Sequence, residues 1–405
     1  MPANARAVIV GAGIAGASIA YHLAKLGWRE LLVLEQGELV SGTTSHAPGL
    51  VGQLRSDLSL AKMLMDSVSL YRQLRVDGTP GFLGEGSLRV ASSRERFEEI
   101  QQQAALAQTI GLEAHLLSPR DAGQLFPLMD MEGVEGALYL PSDGSAVATV
   151  LAQALIRESQ AQGVVFSSHK RVCDIEVVNG RVCAVETTAG RVETETLVVA
   201  TGIWSPLVGR MAGVALPLIP MQHQYVITDP LPELDGKTVP NLRDPDKLFY
   251  MRQREQSLVI GGYERNPRSF DVEAIPERPD PTVQAFDAAQ FEPLRRAAAE
   301  RVPVAASAGF VRQVNGLEAF TPDGLFLLGP APGVQGFWTA CGFCAHDVSG
   351  AGGVGKVMAE WIVTGDPGLD VSHMALARFG AQPPDTQFIK QAASKVYRTY
   401  YDMIH

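Results

Sequence analysis

Ala7-Val8-Ile9-Val10-Gly11-Ala12-Gly13-Ile14-Ala15-Gly16 puts four apolar residues in a row ahead of glycines spaced G-x-G-x-x-G. An apolar run without alternation reads as a strand buried on both faces. Ile14, Ile19, Leu23 and Leu26 then recur at helical spacing, with Gly27 to end the helix. Leu31 to Leu34 predicts a second strand, completing a β-α-β unit. Strand, glycine turn and helix start, in that order, form a pyrophosphate cradle. The glycines allow the tight turn and close approach, and the first N–H groups of the helix face the anion. Glu35 stands at the end of the second strand, placed to accept hydrogen bonds from a ribose. This context calls for a flavin or nicotinamide dinucleotide.

Composition bounds the rest. A chain of 405 residues suits two interleaved domains, and 46% apolar residues predict a soluble globular protein. A net charge of −10 argues against a nucleic-acid partner, which needs a basic face, but leaves room for an anionic small substrate held by a local arginine. The Ala7–Val10 run is too short for a secretion signal, and no stretch reaches the length of a membrane span, so neither secretion nor a membrane partner is expected. Four cysteines are too few for a disulfide scaffold, and a reduced, cytoplasmic protein is the expectation.

Outward from the first unit, the texture changes twice. Residues 55–78, 94–111 and 146–161 predict helices, and Gly86 to Ala91 a strand. Residues 172–178 and 182–187 alternate around Asn179-Gly180 as a hairpin does. Residues 214–310 are strand-like, with a charged, Pro-rich loop at 276–281. The expected division is a discontinuous cofactor domain (1–80, 145–213, 311–375), a substrate domain (81–144, 214–310) and a tail (376–405). The expected fold is α/β for the first domain and α+β, with a mixed sheet, for the second.

Leu197-Val198-Val199-Ala200-Thr201-Gly202 resembles the second FAD fingerprint of glutathione-reductase-like flavoproteins, implying a Rossmann FAD domain of that type. Late in the chain, Thr321-Pro322-Asp323-Gly324 precedes Ala351-Gly352-Gly353-Val354-Gly355-Lys356, which is read as opening a helix whose dipole stabilises negative charge on a reduced flavin.

Gly42-Thr43-Thr44-Ser45-His46-Ala47-Pro48-Gly49-Leu50 presents one imidazole from a loop of small residues that lets backbone approach a flat ring. With Gly86-Ser87-Leu88-Arg89-Val90-Ala91, Pro141-Ser142-Asp143-Gly144, Gln222-His223-Gln224-Tyr225-Val226, Phe249-Tyr250-Met251-Arg252-Gln253 and Asn315-Gly316-Leu317-Glu318-Ala319-Phe320, it resembles the oxidative half of the dimethylglycine oxidase, dimethylglycine dehydrogenase and sarcosine dehydrogenase family. The resemblance implies FAD bonded covalently to His46, with His223 and Tyr250 on the family's active-site histidine and tyrosine. The expected cofactor contacts are Gly11, Gly13, Ile14, Ala15, Gly16, Glu35, Gln36, Thr43, Thr44, Ser45, His46, Gly49, Leu50, Val172, Ala200, Thr201, Gly202, Trp204, Gly324, Gly352, Gly353, Val354 and Gly355. Arg252, Arg89 and Tyr225 are unranked candidates for a substrate carboxylate. No metal is expected: Cys341-Gly342-Phe343-Cys344 has C-x-x-C spacing, but His346 is the one obvious further ligand, and the cysteines read as small residues of the flavin pocket. Cys173 and Cys183 are placed to face each other across the hairpin.

The function so implied is oxidative N-demethylation of a small N-methylated amino acid, dimethylglycine or sarcosine first. Only a neutral amine has the lone pair that drives hydride loss, and histidine suits the handling of its proton. Two-domain members of this family continue into a tetrahydrofolate-binding half. This sequence stops at Tyr400-Tyr401-Asp402-Met403-Ile404-His405, which resembles the junction, so a separate folate-binding partner is one expectation. The alternatives are a 2-hydroxy acid or glycerol-phosphate flavin dehydrogenase, and a flavin subunit that docks to a partner through an exposed stretch at 390–405.

Overall fold

A computed structural model describes residues 1–275, 284–380 and 384–403. The loop predicted at 276–281 lies outside the described residues, as do Ile404 and His405.

The chain builds two large sheets. The first has six strands in the order Val165–Ser167, Leu31–Leu34, Ala7–Val10, Leu197–Val199, Phe337–Cys341, Leu327–Pro330. Neighbours are parallel through Phe337–Cys341, and the last strand is antiparallel. Every residue of Ala7–Val10 and Leu31–Leu34 is buried, because the sheet is covered on both faces. Ala7 and Ile9 pack against helices Ile14–Lys25, Leu58–Tyr71 and Asp347–Thr364, through Ile19, Leu23, Met63 and Met358. Val8 and Val10 face the other way, onto the sheet Val172–Val178, Arg181–Thr187, Gly190–Glu193.

The second sheet has eight strands in the order Phe310–Phe320, Ile219–Thr228, Ser257–Gly262, Phe249–Arg254, Asn241–Asp244, Ser87–Ala91, Gly136–Leu140, His115–Leu117. Its pairings are antiparallel except Asn241–Asp244 with Ser87–Ala91, so the sheet is mixed. One face is apolar: Val226, Leu242, Phe249, Met251, Leu258 and Ile260 pack on Phe291 and Leu294 of helix Ala288–Arg301. The register aligns Arg89, Arg243, Tyr250, Gly261 and Tyr225 across the opposite face, with His223 paired to Gly316 and Met221 to Glu318 one step along. That polar face looks toward the first sheet's cavity.

Several sequence expectations shift. The helix predicted over 55–78 runs from Leu58 to Tyr71: Asp57 caps its start by accepting from Leu60 N–H at 2.8 Å, and Asp77-Gly78, both at positive φ, turn a small hairpin between Arg75–Val76 and Thr79–Pro80. The boundary drawn at 311 cuts a strand that runs whole, Phe310–Phe320, in the eight-stranded sheet. The stretch at 390–405 is not an exposed arm within its described residues. Helix Thr386–Arg398 lies on the polar face, with Tyr397 and Tyr401 buried beside Met221, Tyr250 and Phe320. Cys173 sits at an irregularity between the register pairs Val172/Thr187 and Asp174/Glu186, while Cys183 lies beside Ala184, which pairs with Glu176. They are not opposed, and both are free. No helix among the described residues is long and apolar enough to cross a membrane.

Candidate active site

Gly11 has φ of +105°, and a Cβ there would stand 2.4 Å from the Ala200 carbonyl oxygen. Only glycine allows the neighbouring strands Ala7–Val10 and Leu197–Val199 to end this close together. Gly13 precedes helix Ile14–Lys25 and has no side chain to cap it; Ile14 N–H donates to Thr44 Oγ1 at 3.1 Å, and the helix start faces the cavity through Gly13, Ile14 and Ala15. Glu35 accepts from Ala12 N–H at 3.0 Å and Gly37 N–H at 2.9 Å, and burial raises its pKa.

These elements line a long cavity. Of the residues expected to bind cofactor, Gly11, Gly13, Ile14, Ala15, Glu35, Gln36, Thr43, Thr44, Val172, Ala200, Thr201, Gly202 and Trp204 form its wall. Trp204 Nε1 and Glu318 Oε2 are buried there with no hydrogen-bond partner among the described residues. Two orphaned polar atoms beside a pyrophosphate cradle fit a dinucleotide with a hydrogen-bonding ring system.

Other expected contacts lie elsewhere. The helix after Cys344 starts at Asp347, one turn before Gly352. A Cβ on Gly353 would stand 2.1 Å from the Met63 carbonyl oxygen, and one on Gly355 2.1 Å from Ser18 Oγ, so these glycines, with Gly352 against Ser67, let three helices touch. Val354 belongs to the same core. Gly324 packs on Val396, and Gly16 packs on the Gly11 carbonyl behind the cavity wall.

His46 ends the turn Thr43–His46, with its ring buried against Gly316. A Cβ on Gly316 would stand 2.3 Å from His46 Cδ2, so the strand makes room for the imidazole. Burial lowers its pKa to about 4, and the ring is neutral at pH 7. Its neighbours Thr43 and Thr44 line the cofactor cavity; Ser45 lines a separate cleft with Ala47 and Pro48.

A second pocket shares Glu318, Ala345 and Asp347 with the cofactor cavity. Gly49 and Leu50, expected on the cofactor, line this pocket instead. His223 and Tyr250 meet here: Tyr250 OH is 2.7 Å from His223 Nε2. Gly261 leaves space for the Tyr250 ring, which a Cβ there would meet at 2.3 Å. Burial lowers the His223 pKa to about 3 and raises Tyr250 well above 10. Tyr263 and Tyr400, stacked at 3.8 Å, complete an aromatic wall.

The cations of this pocket are Arg55 and Arg243, which sequence reasoning missed. A Cβ on Gly52 would be 3.9 Å from a guanidinium nitrogen of each, so the two groups converge. Arg55 Nε donates to His346 Nε2 at 2.8 Å, and Arg243 Nη1 to Tyr401 OH at 3.2 Å. The arginines named from sequence do other work. Arg252 donates to the Pro48 and Gln253 carbonyls, bracing the His46 loop, and lines the neighbouring cleft with Tyr225. Arg89 is bonded to Gln103, and burial lowers its pKa to about 10. The signal available for Arg243 was register: it pairs with Tyr250 across the sheet. Glu318 stood in a quoted motif but had no assigned role.

Cys344 lines the cofactor cavity and Cys341 lies buried on its strand; burial raises both thiols to about 12. Among the described residues no group of three or more His, Cys, Asp or Glu is placed to hold a metal.

Comparison with known proteins places this architecture. The chain is 34% identical to mitochondrial sarcosine dehydrogenase of Mus musculus over its whole length, which is 44% of that protein. It is 34% identical to mitochondrial dimethylglycine dehydrogenase of Rattus norvegicus, covering 97% of this chain and 47% of that one. The chain thus spans about half the length of these curated relatives. The crystal structure of L-proline dehydrogenase from P. horikoshii has the same fold, with a TM-score of 0.85 at 23% identity over 95% of this chain and 100% of that one. Residues 6–361 match the family model for FAD dependent oxidoreductases, and the protein belongs to that family.

Proposed function

We propose that the protein oxidises the N-methyl carbon of a small N-methylated amino acid, dimethylglycine or sarcosine first, yielding formaldehyde and the demethylated amine. The observation that carries this reading is the polarity of the pocket beside the cofactor cavity. Arg55 and Arg243 offer two guanidinium groups to a carboxylate. Tyr250, Tyr263, Tyr400 and His223 offer ring faces to an alkylammonium. The names of the two relatives, sarcosine and dimethylglycine dehydrogenase, support the same substrate class.

The cradle at Gly11 and Gly13, Glu35, and the Thr43–Thr44 turn would hold FAD, which when bound supplies the acceptor for a hydride. The chain's own residues fix the amino acid by its carboxylate, exclude water with buried aromatic rings, and take the amine proton at Tyr250 and His223. Loss of that proton frees the nitrogen lone pair to expel hydride from carbon. His46, buried and neutral, is the proposed point of covalent flavin attachment. The released formaldehyde is the product that a tetrahydrofolate-binding half or partner would capture.

Two measurements test this. Anaerobic dimethylglycine or sarcosine should bleach the flavin band, whereas reduction by 2-hydroxy acids and by no amine would refute the reading. Acid precipitation should leave the yellow colour in the pellet. Gly316→Ala, which crowds His46, should release it to the supernatant while the protein stays folded.

A further inference from the structure

Behind Tyr250 the hydrogen bonds continue away from the pocket. His223 Nδ1 is 2.8 Å from Tyr397 OH, and Tyr397 OH donates to Glu264 Oε2 at 2.6 Å. All four side chains are buried, with Glu264 5% exposed. We propose that Tyr250, His223, Tyr397 and Glu264 form a relay that carries the ammonium proton of the bound substrate to Glu264. This rests on the amine-oxidising reading above and extends it to two residues, Tyr397 and Glu264, that do not themselves line the pocket and act through His223 and Tyr250.

The carboxylate sets the direction of every bond. An ionised carboxylate only accepts, so the Tyr397 proton points to Glu264. The Tyr397 oxygen then accepts from His223 Nδ1–H. A neutral imidazole protonated on Nδ1 has a bare Nε2, which accepts from Tyr250 OH. Tyr250 therefore turns only lone pairs toward the pocket, ready for an ammonium N–H.

Proton transfer along the chain balances without creating a new ion. The substrate N–H breaks and a Tyr250 O–H forms. The former Tyr250 proton moves to His223 Nε2, the Nδ1 proton to Tyr397, and the former Tyr397 proton to Glu264 Oε2. Ammonium and carboxylate are both discharged; both phenols are re-formed, and the imidazole has changed tautomer. Burial makes this route the fitting one. It lowers the His223 pKa to about 3 and raises Tyr250 and Tyr397 well above 10, so none of the three ionises readily, and it raises Glu264 toward the pH at which it accepts a proton.

The groups around the relay are consistent with it. Glu264 is faced by Tyr397 from the C-terminal helix, by Gln224 Nε2 at 3.4 Å from the neighbouring strand, and by the charges of Asp287 and, more distantly, Glu318. His223 is faced by Tyr250, Tyr263, Tyr397 and the neutral His46. Glu318 also faces the pocket, but burial raises its pKa to about 8, so at neutral pH it already carries a proton.

The first test needs no substrate. In the flavin-loaded protein, ¹⁵N-histidine NMR should show His223 neutral and protonated on Nδ1, and Tyr397→Phe should abolish that tautomer preference. A proton on Nε2 in the unmodified protein would overturn the relay. The second test is flavin reduction by dimethylglycine against pH. Glu264→Gln and Tyr397→Phe should each slow it on the order of 100-fold at pH 7, and recover as pH approaches the amine's own pKa. A loss equal at every pH, no loss, or a pH shift seen only in Glu318→Gln would overturn the relay. If no N-methylated amino acid reduces the flavin, the functional reading fails, while the tautomer still decides the relay.

Discussion

The six-stranded sheet and the eight-stranded sheet are buried in opposite ways. Alternate residues of the first are apolar on both faces, and its cavity lies at the strand ends, where glycines and backbone N–H groups form the wall. The second is apolar on one face only; the other carries Arg243, Tyr250, His223 and Glu318 into a pocket. Backbone recognition suits a cofactor whose phosphates are the same in every turnover. Side-chain recognition suits a substrate that must be held by charge and relieved of a proton.

The largest expected effect strikes the backbone half. Gly11→Ala drives a methyl group against the Ala200 carbonyl at a φ of +105°. The protein should lose its flavin altogether and melt well below the unmodified protein, as absorbance and calorimetry would report. Retention of flavin would break the contrast between the two sheets.

The next effect lies in the side-chain half and should leave flavin content untouched. Arg55→Ala or Arg243→Ala removes one of two converging cations, at a cost of about 2–4 kcal/mol, roughly 30- to 1000-fold in kcat/KM. Most of the loss should appear in KM. Arg252→Ala should disturb the His46 loop first, seen as a smaller fraction of acid-stable flavin.

How much of this was legible follows from the same contrast. The cofactor half is encoded contiguously: Gly11 to Gly16, Glu35, and Ala200 to Gly202 each announce themselves in a few residues, because a turn of backbone is a local object. The Gly352–Gly355 run was legible as glycine but not as to purpose, since a helix start and a helix crossing both require the absence of a side chain. The pocket is assembled from residues 49, 55, 223, 243, 250, 263, 318 and 400, which no local pattern joins. His223 and Tyr250 came from family resemblance; Arg243 needed the sheet register, and Arg55 reaches the pocket from an irregular stretch ahead of helix Leu58–Tyr71. Arg89 and Arg252 were equally plausible in sequence, because an arginine in a strand does not say whether its partner is a carbonyl or a ligand. Tyr397 and Glu264 are joined only by the docking of the last helix.

A subtler effect concerns Glu318, on the wall between the two sites. Burial holds its folded pKa at about 8, above the ordinary 4.5. A raised acid contributes stability present below its unfolded pKa and lost as pH rises toward the folded value. Glu318→Gln should therefore gain on the unmodified protein between pH 4.5 and 8, by up to about 1.4 kcal/mol per pH unit. Urea unfolding at pH 5.5 and 7.5 checks this, and a difference independent of pH would contradict it. The smallest effect is away from both sites: Asp57→Ala removes the cap on helix Leu58–Tyr71, costing about 1 kcal/mol with no change in substrate kinetics.

The most direct test of the central claim is a comparison of two amines. Flavin-loaded protein is mixed anaerobically with dimethylglycine, and separately with trimethylamine, which has the same N-methyl groups and no carboxylate. Bleaching by dimethylglycine with one formaldehyde per flavin, and bleaching by trimethylamine slower by about 100-fold or more, is the predicted result. Equal rates, or no reduction by dimethylglycine, would contradict a pocket that holds an N-methylated amino acid by its carboxylate.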